Sequence, residues 1–279
     1  MLNFFHTYNP SPIIFQISRI AFYWYGLFMI LGMLFGLFVI LKLAKLYKIE
    51  KERVLDLSFL LIIFGMIGAR LFAIFYYWDY FCKYPLDAFK IWQGGLSIHG
   101  AIIAGIIVLF FHFKRHKDSF WLLADLIVPG LILGQAIGRW GNYFNQELYG
   151  KPTSLFFGIP ISLANRVFGY ESFNYFHPAF LYESALNLII FAVLIYLHKR
   201  RLKNNKKTGE NIYGGIFLAY LILYSVNRFF LEFLRIDIQP AFLSLRFAQW
   251  ISLLIVAISS VIIINRCPML FVSKKGHKS

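Results

Sequence analysis

The amino-acid sequence predicts an all-α integral membrane protein, a seven-transmembrane-helix bundle with a small extracytoplasmic cap domain between helices four and five. Three observations carry this expectation. Of 279 residues, 59% are hydrophobic and 15% charged, whereas soluble domains carry about 25% charged residues. Apolar runs of the length needed to cross a hydrocarbon core, about 20 residues, recur along the whole chain. One long polar connection interrupts them. β-Barrel strands would show alternating segments of roughly ten residues, and these runs are twice as long and apolar all round. Cys82 and Cys267 form no spaced framework of the kind that staples secreted domains.

The first span runs from Ile20 to Leu41. Asn9, Pro10 and Pro12 interrupt the residues before it, so no cleavable signal peptide is expected and the first apolar run should remain a helix. The second covers Leu57 to Trp78 with the single charge Arg70, and the third Ile91 to Phe113. Ser119 to Gly138 carries only Asp125, and Pro178 to His198 only Glu183. Asn211 to Leu234 holds Arg228 and Glu232 near its end, and Phe247 to Asn265 closes the set. Residues 1–279 are thus expected to form a single polytopic membrane domain. Within it, residues 139–177 are rich in Gly, Asn and Pro yet carry Tyr149, Phe156, Phe157, Phe168, Tyr170 and Phe176, which indicates a folded cap rather than a disordered loop. Gly32 and Gly36, and Gly130, Gly134 and Gly138, have the four-residue spacing of close helix packing.

The formal net charge of +15 has a topological explanation. Lys42, Lys45, Lys48, Lys51 and Arg53 lie between spans one and two, and Lys114, Arg115 and Lys117 between three and four. Lys199, Arg200, Arg201, Lys203, Lys206 and Lys207 lie between five and six, and Arg266, Lys274, Lys275 and Lys278 follow span seven. Cytoplasmic loops carry such an excess, so the N-terminus is expected outside and the C-terminus in the cytoplasm. The clusters then serve retention and contact with anionic membrane lipids, and no nucleic acid is expected as a partner.

That topology brings the polar residues of separate spans to one outer-leaflet depth. His99 lies near the outer end of span three, Arg139 and Asn142 at that of span four, and Arg228 and Glu232 at that of span six, with Tyr25 early in span one. Ionisable groups inside a span are costly and point to function. Tyr224, Arg228, Glu232 and Arg235 follow helical spacing and are expected to form one stripe. An Arg228–Glu232 pair could merely neutralise itself, but Arg139 at the same depth would then lack a protein anion. A lipid phosphate, matched by arginine's planar fork, would complete the set. Arg70 and Asp125 are read as structural contacts between helices. No metal motif and no serine-hydrolase elbow is present, and no metal or organic cofactor is implied.

These residues resemble the signature of the prolipoprotein diacylglyceryl transferase family of the bacterial inner membrane. Residues Gly138 to Gly150, GRWGNYFNQELYG, are similar to that family's G-R-x-G-N-F-x-N-x-E-x-x-G, with Tyr143 in the Phe place. Tyr25-Gly26, Gly95 to Gly100 (GLSIHG), His177 to Glu183 (HPAFLYE) and Tyr224 to Glu232 (YSVNRFFLE) follow the family order. Ala179 and Phe180 stand where Ser or Thr and then Gln are frequent. The resemblance implies an enzyme that transfers the sn-1,2-diacylglyceryl group of phosphatidylglycerol to the lipobox cysteine of a prolipoprotein signal peptide, releasing glycerol phosphate. His99 would be the base for the thiol, and Arg139 and Arg228 would stabilise the departing phosphate. An arginine-rich pocket also lowers a thiol's pKa directly, so two activators remain open. Asn142, Glu147 and Gly150 would shape the edge of the site, Glu232 would orient Arg228, and Tyr25 and Tyr224 would line the substrate side. An anionic-solute transporter, a phosphatidylglycerol-binding membrane protein and an intramembrane protease are the rival classes. The first predicts repeated halves with broken helices, and the last a nucleophile motif, neither of which the sequence contains.

Overall fold

A computed structural model describes residues 2–18, 20–90, 94–116, 119–208, 213–237 and 239–266. Arg19, Ile91, Lys117, Asn211, Cys267, Lys274, Lys275 and Lys278 lie outside the described residues, and with them the expected starts of spans three and six. The structure is mostly helical. Among the described residues, five helices are long and apolar enough to cross a membrane: Trp24–Leu46, Lys51–Tyr76, Phe120–Phe144, Ala179–Asn204 and Phe247–Asn265. Ile98–Lys114 and Gly215–Leu231 are shorter apolar helices. Large apolar side chains such as Leu34, Phe38, Phe64, Ile106 and Leu254 are exposed, while Asp125, Asn187, Glu232 and Gln249 are buried. An exposed apolar surface of this extent, with ionisable and amide side chains buried beneath it, matches a solvent of lipid rather than water.

The chain divides into two compact units, Met1–Val39 with Ala124–Ser279, and Ile40–Leu123. In the first, a short helix α1 (Leu2–Thr7) precedes strands β1 (Ile13–Ile17) and β2 (Ile20–Tyr23), an antiparallel pair with Phe15 stacked on Phe22 at 4.5 Å. The expected start of span one, Ile20, is therefore a strand residue. Helix α2 (Trp24–Leu46) begins only where pairing with β1 ends, and it continues past Leu41 through good helix formers to Leu46, two residues before Lys48 takes a φ of 58° outside the helical region.

In the second unit lie α3 (Lys51–Tyr76), α4 (Trp78–Lys83), a 3-10 turn over Pro85–Phe89, and α5 (Ile98–His116). Span three was expected from Ile91, but its helix starts at Ile98, because Gly94 and Gly95 take φ of 87° and 68°, outside the right-handed helical region. α3 and α5 touch through backbone: a side chain on Gly100 would run into the Gly68 carbonyl. Arg70, expected to make a contact between helices, instead donates to backbone carbonyls of the α3–α5 connection.

Helix α6 (Phe120–Phe144) returns to the first unit and packs on α2, with Gly32 against Gly134 and Gly36 against Gly130. α6 runs six residues beyond the expected Gly138, so Arg139 and Asn142 are helical, and the irregular connection begins after Phe144. It contains the two-residue strands β3 (Ile159–Pro160) and β4 (Tyr175–Phe176), paired antiparallel. Tyr143, Tyr149, Ile159, Ile161, Phe176, Phe180 and Ile236 form its apolar core. Helices α7 (Ala179–Thr208) and α8 (Gly215–Leu231) follow, then a hairpin of β5 (Ala241–Phe242) and β6 (Leu245–Arg246), then α9 (Phe247–Arg266). Asp125 joins three helices. Its carboxylate accepts from Arg201 Nη1 at 2.6 Å and from the Gly214 and Phe217 N–H groups at 2.7 Å, satisfying orphan donors at the start of α8.

Candidate active site

The last turns of α6, the first turns of α7 and the end of α8 each carry one member of a charged network, and the hairpin ahead of α9 supplies another. Arg139 Nε lies 2.5 Å from Glu183 Oε2. Glu183 Oε1 in turn stands 3.6 Å from Arg228 Nη1 and 3.6 Å from Arg235 Nη1. Arg228 Nη2 meets Glu232 Oε2 at 2.7 Å, and Glu232 Oε1 meets Arg246 Nη1 at 3.1 Å. Arg246 Nη2 donates to the Arg235 carbonyl at 2.7 Å, and Arg235 Nε to Asp237 Oδ1 at 2.9 Å. Four arginines thus share three carboxylates, Glu183, Glu232 and Asp237.

Burial orders this network. The side chains of Glu183 and Glu232 are 6% and 0% exposed, whereas those of Arg139, Arg228 and Arg246 keep 22%, 20% and 24%. Carboxylates close the interior and guanidinium edges remain open. Buried ions persist only when paired and hydrogen-bonded, and an excess guanidinium at an open edge is a site for an anion. Burial alone pushes the Asp237 carboxyl up, but the hydrogen bond and charge of Arg235 outweigh it and hold the group below its ordinary value.

Around the network, Asn142 and Asn145 donate to Glu147 Oε1 at 2.7 and 3.4 Å, and Arg139 Nη1 donates to Asn142 Oδ1 at 3.4 Å. The intervening Gln146, at φ 53°, holds the N-terminal segment, donating to Asn9 Oδ1 at 2.9 Å and the Pro10 carbonyl at 2.7 Å. Gly150 is required by close approach: a Cβ there would lie 2.8 Å from His177 Cβ, while its N–H donates to the His177 carbonyl at 2.9 Å. His177 bonds the Tyr182 hydroxyl at 3.0 Å, and burial lowers its pKa from the usual value. Tyr25 lies over Gly141, where a Cβ would stand 2.7 Å from the tyrosine Cδ2.

The structure therefore joins Arg139, Asn142 and Glu147 by direct contacts, and Arg228 to Glu232, with Glu183 linking the two sets, Gly150 bridged to Arg235 and Tyr25 over the Arg139-bearing turn. Tyr224 is one turn before Arg228 and stacks on Tyr220 at 5.8 Å. His99 belongs to the other unit, where its exposed ring lies 5.8 Å from that of Phe72. Two expectations need correction. Arg139 does have a protein anion, because Glu183 reaches it from α7. The four-residue stripe on span six stops short: α8 ends at Leu231, and Arg235 joins the network from beyond the helix, bridged to Gly150. Glu183 was visible as the lone charge of its span. Arg246 and Asp237 sit in connections that no periodicity marks, so nothing in the sequence singled them out.

Comparison with known proteins gives a family match over residues 12–265, to a model described as prolipoprotein diacylglyceryl transferase. Among curated relatives, the phosphatidylglycerol–prolipoprotein diacylglyceryl transferase of Trichormus variabilis is 40% identical over 88% of this chain and 86% of its own. That of a Synechocystis species is 40% identical over 90% of this chain and 88% of its own. The Oceanobacillus iheyensis enzyme is 37% identical over 94% of this chain and 90% of its own.

Proposed function

The chain belongs to the prolipoprotein diacylglyceryl transferase family, and on that footing we propose that it transfers the sn-1,2-diacylglyceryl group of phosphatidylglycerol to the lipobox cysteine of a prolipoprotein. The observation that carries this reading is the pairing of buried Glu183 and Glu232 with the open edges of Arg139, Arg228 and Arg246. Such a surface grips a phosphodiester without a metal.

In the reaction the cysteine sulfur attacks the glyceryl carbon esterified to phosphate. A C–S thioether bond forms, the C–O bond to phosphate breaks, and glycerol phosphate leaves with the electron pair. A free thiol, with a pKa of about 8.5, is mostly protonated at neutral pH, so it needs an activator: the family resemblance offers His99 as the base, and an arginine-rich pocket that lowers the thiol's pKa directly is the alternative. Charge grows on the departing phosphate, where Arg139 and Arg228 stabilise it in a site of low dielectric. Losing one such preorganised donor typically costs about 2.7 to 4 kcal/mol of barrier. Glu232 orients Arg228, Asn142 and Glu147 hold the edge beside Arg139, and Tyr25 and Tyr224 line the substrate side.

The same reading makes the chain a single polytopic domain of the bacterial inner membrane, with seven spans, a periplasmic N-terminus and a cytoplasmic C-terminus. Residues 139–177 then cap its outer face. Both substrates enter sideways, since phosphatidylglycerol is a bilayer lipid and the prolipoprotein is held by its signal helix. The test is purified protein in phosphatidylglycerol micelles with a lipobox peptide, followed by peptide mass. A diacylglyceryl gain on the cysteine peptide, absent from its serine counterpart, is expected. No gain with phosphatidylglycerol still bound would leave a lipid-binding protein instead.

A further inference from the structure

Arg70, on α3, is 8% exposed and lies among apolar residues of a span, yet its partners are not carboxylates. Nε donates to the Ala88 carbonyl at 2.9 Å, and Nη1 to those of Gly94 and Gly95 at 2.8 and 3.0 Å. Nη2 donates to the carbonyls of Asp87 and Lys90. All five guanidinium N–H groups therefore address backbone oxygens of one connection, which runs from the 3-10 turn to the start of α5. The Asp87 carboxylate is engaged elsewhere, by Tyr80 and Lys90. Phe81 covers the guanidinium from 5.2 Å.

A lone structural cation needs no such arrangement, because a shorter chain or an apolar residue avoids the desolvation cost. What the fork fixes lies immediately before His99. Gly94 and Gly95 are both left-handed, and a Cβ on Gly95 would stand 2.9 Å from Arg70 Nη1, so this backbone is pressed directly on the guanidinium. The residue before Arg70 holds the next point: the Ser97 N–H donates to the Ala69 carbonyl at 3.0 Å. Gly100 then meets the backbone of Gly68. Consecutive positions 68, 69 and 70 of α3 thus fix 100, 97 and 94–95 on either side of His99. The imidazole itself is exposed beside Phe72.

We infer that Arg70 is a positioning residue for His99: its planar fork sets the backbone from which the imidazole reaches the substrate thiol, without touching substrate itself. This rests on the reading of His99 as base. A lysine keeps the charge but presents no planar fork, so it leaves most of these carbonyls without a partner and lets the loop shift. A displacement of about 1 Å at a catalytic group lowers rate by up to about 100-fold.

The experiment is a double-mutant cycle on the full chain in phosphatidylglycerol micelles, reading kcat and KM for the lipobox peptide with Arg70→Lys, His99→Gln and the pair, and Gly95→Ala as a second route to the same backbone. Arg70→Lys and Gly95→Ala are expected to lower kcat about 10- to 100-fold with KM within about twofold, and to change it less than about twofold in the His99→Gln background. Equal losses in both backgrounds would overturn the inference, as would kcat unchanged in both variants, or failure of both variants to fold at all, which would make Arg70 a folding residue. A His99→Gln chain as fast as the native one would show, in the single variant, that the base assignment itself fails and takes the inference with it.

Discussion

Arg139 and Glu183, on successive helices α6 and α7, meet at 2.5 Å, and the same carboxylate stands 3.6 Å from Arg228 Nη1, so Glu183 links Arg139 to the Arg228–Glu232 pair at the end of α8. Stability and activity should therefore separate in two variants. Glu183→Gln leaves three guanidinium groups with less negative charge among them, and breaking a buried pair from one side costs about 3 to 5 kcal/mol. Arg139→Ala leaves Glu183 with Arg228 and Arg235. Thermal melts in detergent should show the larger loss for Glu183→Gln, while transfer assays show the larger loss for Arg139→Ala.

Gly150→Ala should destabilise by about 1 to 3 kcal/mol, because its Cβ would sit 2.8 Å from His177 Cβ and 3.3 Å from the Leu234 carbonyl. Gly138→Ala, in the same motif, meets only Met29 Sδ at 3.9 Å and should be close to neutral. A melting shift of equal size in both would show that the contact at Gly150 is not what the motif protects.

These contacts show what was legible in the sequence. Helical class, apolar spans and the glycine pairs of α2 and α6 follow from periodicity, which is local. Arg228 and Glu232 were legible because charge inside an apolar run is rare, and Arg139 and Asn142 because they emerge at the outer end of span four at the same expected depth. The role of Glu183 as hub was not, since it depends on which helices pack together. Arg246 reaches the network through a hairpin turned at Leu243 and Ser244, both with positive φ, and Asp237 joins it just before that hairpin by pairing with Arg235; nothing local in those residues announces their partners. The strand at Ile20–Tyr23 was hidden because its residues are as apolar as a span, and only its pairing with Ile13–Ile17 decides the conformation.

His177 is held with its pKa below the usual histidine value by burial. The unfolded chain therefore binds the proton more readily, and stability from this group is present above about pH 6.5 and lost as pH falls through the folded value. Unfolding of the native chain in detergent should grow easier from pH 7 to pH 5, and His177→Gln should flatten that dependence. An unchanged slope would remove His177 from the account.

Cys82 is exposed on α4, and the proposed topology puts it outside. In a Cys267→Ser background, a membrane-impermeant maleimide should label intact spheroplasts at Cys82. Labelling only after lysis would reverse the orientation.

The central claim is that open guanidinium edges act on the departing phosphate rather than merely holding lipid. The most direct measurement is kcat and KM for phosphatidylglycerol in Arg139→Ala, with retained lipid quantified in the same preparation. The account predicts a kcat lower by about 100- to 1,000-fold with phosphatidylglycerol still retained. A near-native kcat with a raised KM would contradict it, because Arg139 would then serve binding alone.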